Sequence, residues 1–321
     1  MNRQRSAGLR RRHLLATLAG ALAAPVCAPA WAQTRTVRIG FQKGGLLLLL
    51  KLRGVLEPAL AAQGWAVRWV EFPAGPALME GLNVDAIDLG VTGAPPPIFA
   101  QAAGIDFVYM GAEPGQPHSE AVIVPVASPA RSLADLRGKR VALAKGSSSH
   151  YLLATTLQQA GLRYTDVTPV FLGPAEARAA FERGAVDAWV VWDPYLSLAQ
   201  QATGARALVD YSAVGPPWSF YLARRAFAQA QPALLSAVLR EIALFGAWAN
   251  SHRAEVVAQL APLFGLPPAT MEAVQARVRY GAVPMSAAIA ADQQKVADLL
   301  AQLKLVPRPV DVAQALWVAP R

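Results

Sequence analysis

The sequence predicts an α/β protein of two lobes joined by a hinge. Three observations carry that prediction. Short β-type runs alternate with helix-type stretches in two successive series, β-branched runs fall where the chain passes between them, and glycine-bearing turns sit where strands give way to helices.

The first series opens with a strand at 37–40 and a helix over 46–63. It continues with a strand at 66–72, a helix at 76–82, a strand at 87–92, a helix at 96–103 and a strand at 107–111. Such alternation points to βαβ units around a mostly parallel sheet. The second series begins after Ser132 with a helical turn over 133–139 and a strand at 140–144. A helix over 151–160 stops at Gly161, a residue suited to a helix C-terminus. A strand at 168–172, a helix at 175–183 and a strand at 188–192 complete it. The β-branched run 120–126 reads as the crossing between lobes and 219–223 as the return, after which the pattern is helical to Gln302. This assigns 33–122 and 220–321 to lobe 1 and 123–219 to lobe 2. A hinged cleft between such lobes is a usual home for a ligand.

The N-terminus predicts export. Residues 1–12 hold five arginines and no acid, 14–26 are apolar, and Ala30-Trp31-Ala32 precedes Gln33. A charged start, an apolar run too short to span a bilayer and small residues at the cut describe a signal peptide over 1–32. The Arg11-Arg12 pair suits the twin-arginine route, and the general secretion route fits equally. Cys27, the one cysteine, lies inside this leader, with Val26 and Ala24 where a lipoprotein signal has a small and a branched residue. The mature chain then has no cysteine nucleophile and no disulfide.

Removing five arginines from 30 basic side chains leaves 25 against 21 acids, a difference of about +4. These charges are scattered, which excludes the basic stripe of a nucleic-acid binder and suits an anionic solute. Beyond the leader no apolar run reaches bilayer length, so a soluble mature protein is expected.

Three turns are candidates for binding: Gln42-Lys43-Gly44-Gly45, Thr92-Gly93-Ala94-Pro95 and the KGSSSH stretch at 145–150. Each is expected to place free backbone N–H groups and a helix start at the carboxyl end of a strand, which attracts anions. In the third, Ser147, Ser148 and Ser149 with Gly146 offer donors that match the three acceptor oxygens of a sulfonate, or else simply cap the helix. The phosphate-binding GxxxxGK motif and the dinucleotide fingerprint are both missing.

His118-Ser119-Glu120 leads into the first crossing, where His118 reads as a ligand donor or as an exposed loop histidine. Catalysis by that trio is excluded, because neighbours along a strand point to opposite faces. His118, His150 and His252 lack metal-ligand spacing, so neither metal nor cofactor is expected. Trp192, Asp193 and Tyr195 are candidates for the cleft edge, and Trp218 and Phe220 for an apolar ligand tail or for hinge packing.

On these residues the chain resembles periplasmic aliphatic-sulfonate-binding proteins of ABC transporters, a group with taurine- and nitrate-binding relatives. The likeness runs through VEFPAGP at 70–76, IDLGVTG at 87–93, PPIFAQAAG at 96–104, KGSSSH at 145–150 and WDPY at 192–195, and continues to Trp317. The resemblance implies a type II periplasmic-binding-protein fold, no enzymatic activity and a monomer. Its partners would be a small organic sulfonate and the permease and ATPase subunits of an importer, with taurine, nitrate or another small anion as the alternative ligand. It implies Gln42, Thr92, Gly93, His118, Ser119, Glu120, Gly146, Ser147, Ser148 and Asp193 as cleft residues. Ala94 stands where relatives often carry an acid, which implies a plain anion rather than a zwitterion.

Overall fold

The computed structural model describes residues 35–215 and 217–318, so the leader expected at 1–32 lies outside the described residues. Chain order gives β1 (Arg35–Gln42), α1 (Gly45–Arg53), α2 (Leu56–Ala61), β2 (Trp65–Phe72), α3 (Gly75–Asn83), β3 (Leu89–Gly93), α4 (Pro95–Ala103) and β4 (Phe107–Glu113). The single helix expected over 46–63 is two. Gly54 adopts the left-handed conformation (φ 60°) and its N–H bonds back to the Leu50 and Lys51 carbonyls, which closes α1.

The second series comprises β5 (Glu120–Val124), β6 (Arg140–Leu143), α5 (Ser148–Gln159), β7 (Thr168–Phe171), α6 (Pro174–Glu182), β8 (Ala188–Trp192), α7 (Tyr195–Thr203) and β9 (Arg206–Asp210). After it come β10 (Ser219–Arg224), α8 (Arg225–Ala230), α9 (Pro232–Ser251), α10 (Arg253–Phe264), α11 (Pro268–Arg277) and α12 (Ala287–Gln302).

The strands form two five-stranded sheets of the same order, β2-β1-β3-β10-β4 and β7-β6-β8-β5-β9. β1, β2 and β3 pair parallel, as do β6, β7 and β8, whereas β10 and β5 run antiparallel to their neighbours. Lobe 1 is the first sheet with its helices and lobe 2 the second. The runs expected to be the crossings are themselves ladder strands: β5 lies wholly in the second sheet, and Ser219 at the head of β10 pairs with Gly93 and Glu113 in the first. The chain crosses in 114–119 and 211–218 instead, which moves residues 120–122 to lobe 2 and Ser219 to lobe 1. Burial on both faces explains the strand character. Ala121 and Ile123 face one core and Val122 and Val124 the other.

Each sheet carries apolar side chains on both faces under helices. On the first sheet, Val37, Ile39 and Phe41 pack with α1, α9, α10 and α11, while Phe107, Tyr109 and Phe220 pack with α3, α4 and α12. The five leucines 46–50 are all buried, so α1 is apolar all round because it is core all round. Among the described residues one helix, α9, is long and apolar enough to cross a membrane, contrary to the expectation that no run reaches that length. Its Leu235, Val238 and Ile242 are fully buried in the lobe 1 core.

Candidate ligand-binding cleft

In a 2-1-3 strand order the loops leaving the first and third strands turn to opposite faces, and a crevice opens between them at the carboxyl ends. Both sheets have this order, and their two crevices face a common cavity of about 230 Å³. Gln42 to Gly45 line it after β1, Thr92 to Ala94 after β3, Ser147 and Ser148 after β6, and Trp192 to Pro194 after β8. The two lobes nearly touch there: a Cβ added to Gly93 would stand 3.3 Å from the Ser148 Cβ. That close approach is what a hydrogen side chain at 93 permits.

Of the expected site residues, Gln42, Thr92, Gly93, Ser119, Glu120, Ser147, Ser148 and Asp193 line the cavity, and His118 and Gly146 do not. His118 is exposed and its Nδ1 pairs with Asp210 Oδ2 at 2.8 Å. Gly146 donates its N–H to His150 Nδ1 at 3.1 Å and sits against Phe99 and Pro76 of lobe 1. Tyr195 and the wholly buried Phe220 also lie off the cavity, while Trp192 and Trp218 line it.

The serine hydroxyls are engaged differently from the expected tripod. Ser147 Oγ donates to the Ala144 carbonyl at 2.6 Å, while Ser148 and Ser149 both donate to Glu120 Oε1, at 3.0 and 2.6 Å. Thr92 and Gln42 likewise donate to the Gly93 and Val91 carbonyls. What remains free is backbone. Helix α5 begins at Ser148, and among the described residues no acceptor takes the N–H of Ser148 or Ser149. Helix α1, starting at Gly45 without a side-chain cap, opens onto the same cavity from lobe 1. The turn after β3 cannot contribute equally, because α4 starts with Pro95, Pro96 and Pro97, which carry no N–H.

Three acids line the cavity. Burial pushes Glu120 up to about 7 against the pull of the two serine hydroxyls. Its Oε1 is taken by them, which leaves Oε2 for the cavity. Burial also pushes Glu113 up to about 8, with the Gly281 amide offsetting part of that rise. Asp193, raised by burial, is held by a cation from the other lobe: Arg277 of α11 reaches its Oδ2 at 2.9 Å and the Ser197 hydroxyl at 3.0 Å. Ala94 is buried at the start of α4, and the acids that line the cleft come from the end of β4, the start of β5 and the turn after β8.

Leu260, Phe264, Met271, Val274 and Val278 form an apolar wall supplied by α10, α11 and the strand-like segment after them. Sequence reasoning missed this wall, Glu113 and Arg277, since a run that reads only as helical does not say which face meets a cleft. Replacing Arg277 by methionine leaves Asp193 buried without its cation and removes the one ion pair among the described residues that joins the two lobes. Ligand affinity is expected to fall roughly tenfold, a change that isothermal calorimetry reads directly.

Comparison with known proteins accords with this geometry. The family model described as NMT1/THI5 like matches residues 61–251. An aliphatic sulfonates-binding protein of Escherichia coli K12 is 46% identical over 283 residues, covering 88% of each chain. The solved alkanesulfonate-binding protein SsuA of Xanthomonas axonopodis pv. citri, bound to MOPS, is 42% identical with a TM-score of 0.85, over 88% of this chain and 98% of that one. The periplasmic aliphatic sulphonate binding protein SsuA of E. coli gives 45% identity and a TM-score of 0.78, over 89% and 93%. Identity of this order along almost the whole length, on the same two-sheet architecture, means that the chain belongs to the family of periplasmic aliphatic-sulfonate-binding proteins.

Proposed function

We propose that this protein is the solute-binding component of an ABC importer, that it holds an organic sulfonate between its lobes, and that it performs no chemistry on it. The supporting observation is the pair of uncapped helix starts, α1 from lobe 1 and α5 from lobe 2, that open onto one cavity. A sulfonate bridging them accepts from both sets of N–H groups and sits at the positive ends of both helix dipoles. The apolar wall takes the carbon tail, and the empty crevice opens about the crossings 114–119 and 211–218, with ligand favouring closure. The leader at 1–32 delivers a monomer to the periplasm, where permease and ATPase subunits receive the closed form. An enzyme of the cysteine-dependent desulfinase kind is disfavoured, since residues 35–318 contain no cysteine.

Calorimetric titration with butanesulfonate, sulfate and nitrate, in a buffer free of sulfonates, tests this reading. Saturable binding of butanesulfonate at least tenfold tighter than sulfate or nitrate is expected, because only the sulfonate fills both the head-group site and the apolar wall. Equal or weaker binding overturns it.

Glu120 makes the affinity depend on pH. As a neutral acid it donates from Oε2 to the sulfonate, and as a carboxylate it repels it. A raised acid binds its proton in the folded state, so affinity is full below about pH 6 and declines through about 7 as the proton leaves. Lys43 at the cavity edge, Asp193 and Tyr211 also face this region, and Glu113, raised to about 8, adds a second decline above it. The Glu120→Gln variant keeps a donor without titrating. It is expected to bind equally at about pH 6 and pH 7.5, where the parent weakens several-fold.

A further inference from the structure

We propose that His150 is a positioning residue of the sulfonate site: its ring seats the start of α5 against lobe 1, and protonating the ring lets the cleft open and the ligand go. The inference rests on the sulfonate reading and adds a control over the same site. His150 is the third residue of α5, two places after Ser148, and is buried. Its Nδ1 accepts the Gly146 N–H at 3.1 Å, which ties the turn after β6 to the first turn of the helix. Its ring lies against Phe99 of α4, in the other lobe, with centroids 5.9 Å apart and planes 22° from parallel. Phe99 also covers Gly146, where an added Cβ would stand 3.6 Å from the phenyl ring. One imidazole therefore joins the loop that presents the Ser148 and Ser149 amides to the lobe that closes over them.

The contact requires a neutral ring. With Nδ1 accepting, the proton sits on Nε2, which has no acceptor among the described residues. Protonation turns Nδ1 into a donor facing the Gly146 N–H, so the turn loses its hydrogen bond. The groups packed against the ring offer the new charge no partner. Phe99 covers it from lobe 1, Phe171 of β7 from 5.8 Å and Tyr164 from 5.2 Å, centroid to centroid, with the Tyr164 hydroxyl itself buried and unpaired. Lys145, in the turn after β6, adds only a like charge. Burial pushes the imidazole down to about 4, and Lys145 pushes it the same way. Opening the lobes lifts Phe99 away and lets water reach the ring, so the open form holds the proton at a higher pH, toward the ordinary value of about 6.5. The closed form thus binds the proton less tightly than the open one. Closure is full above the open-form value and is lost as pH falls toward about 4. Glu120 is already protonated across that range and adds no slope there.

Calorimetric titration with butanesulfonate, on the parent, on His150→Asn and on Phe99→Ala, tests the assignment. The parent is expected to bind several-fold more weakly at about pH 4.5 than at about pH 6. In His150→Asn the side-chain Oδ1 can still accept the Gly146 N–H, but nothing stacks and nothing titrates. That variant is expected to lose about fivefold at pH 6 and to vary less than about twofold across the window. Phe99→Ala alters lobe 1 alone and is expected to lose a similar factor. The double variant is expected to lose much less than the product of the two, since both act through one contact. The thermal midpoint of each ligand-free protein controls for folding. If His150→Asn fails to fold, Phe99→Ala carries the test: its acid limb is expected to shrink below about twofold, because its closed form no longer buries the ring. Three results overturn the assignment and leave the sulfonate reading standing: a parent that binds equally at both pH values, an acid limb that persists in His150→Asn and so belongs to the Asp193–Arg277 pair, or losses that multiply in the double variant. Binding of no sulfonate by the parent overturns both.

Discussion

Replacing Ser148 by proline is expected to weaken sulfonate binding by roughly 30- to 150-fold while leaving the fold intact. Proline lacks the N–H that α5 offers to the cavity, and a charge-assisted hydrogen bond of this kind is worth about 2 to 3 kcal/mol. The position tolerates it. Ser148 is the first residue of the helix, where proline is at home, and Ser147 before it is extended (φ −88°, ψ 178°), as a residue preceding proline prefers. The Ser148→Ala variant separates the two groups lost, because it removes only the hydroxyl that donates to Glu120. A loss below about tenfold is expected there. Calorimetry on both variants, with the thermal midpoint of the ligand-free proteins as the folding control, reads the difference. Equal losses in the two would assign the effect to the hydroxyl and not to the backbone.

The largest stability effect is expected at Asp88, far from the cleft chemistry. Asp88 Oδ2 accepts from the backbone N–H and Nε of Arg38 at 2.8 and 3.0 Å, and Oδ1 accepts from Arg38 Nη2 and Arg224 Nη2 at 2.6 and 2.7 Å. One carboxylate thus ties β1, β3 and β10, three adjacent strands, at the edge opposite the ligand loops. Its side chain is 3% exposed, whereas its partners are 28% and 19% exposed, so removal leaves two half-buried guanidinium groups and an orphaned amide. The Asp88→Ala variant is expected to lose about 3 kcal/mol, at the low end of the range for breaking a buried pair because both arginines keep some water. Denaturant unfolding measures it.

The pH dependence of that loss follows from the same contacts. Burial pushes the Asp88 carboxyl up, but the hydrogen bonds from Arg38 and Arg224 outweigh it and hold the group below its ordinary value. A depressed acid stabilises the fold above the unfolded carboxylate range, about 3.9, and loses that contribution as pH falls through the lower folded value. The gap between parent and variant is therefore widest near neutrality and closes in acid.

Local chemistry in the sequence was enough for the alternation of strands and helices, for the strand at 188–192 residue for residue, and for the turns that carry the helix starts. What misled was competition between neighbours for the same donors. The three serines read as a donor tripod, yet Glu120, 28 and 29 residues away along the chain, claims two of their hydroxyls. Gly146 read as a free amide, yet its N–H donates a hydrogen bond to His150 Nδ1 one helical turn on. The prolines 95–97 were visible from the start, and their missing N–H groups are a signal the sequence contained. Strand character in 120–124 was mistaken for a crossing because an antiparallel strand inserted between parallel ones has no local mark. The Arg277–Asp193 pair joins residues 84 positions apart, and it and the apolar wall from α10 and α11 are revealed only by packing.

A crystal structure with butanesulfonate bound tests the central claim most directly. The sulfonate oxygens are expected within about 3 Å of the Ser148 and Ser149 amide nitrogens, facing the start of α1 across the cleft, with the tail against Val274 and Leu260. A sulfonate seated away from the α5 start, or a tail pointing into the Ser148 loop with the head group on the apolar wall, would contradict it.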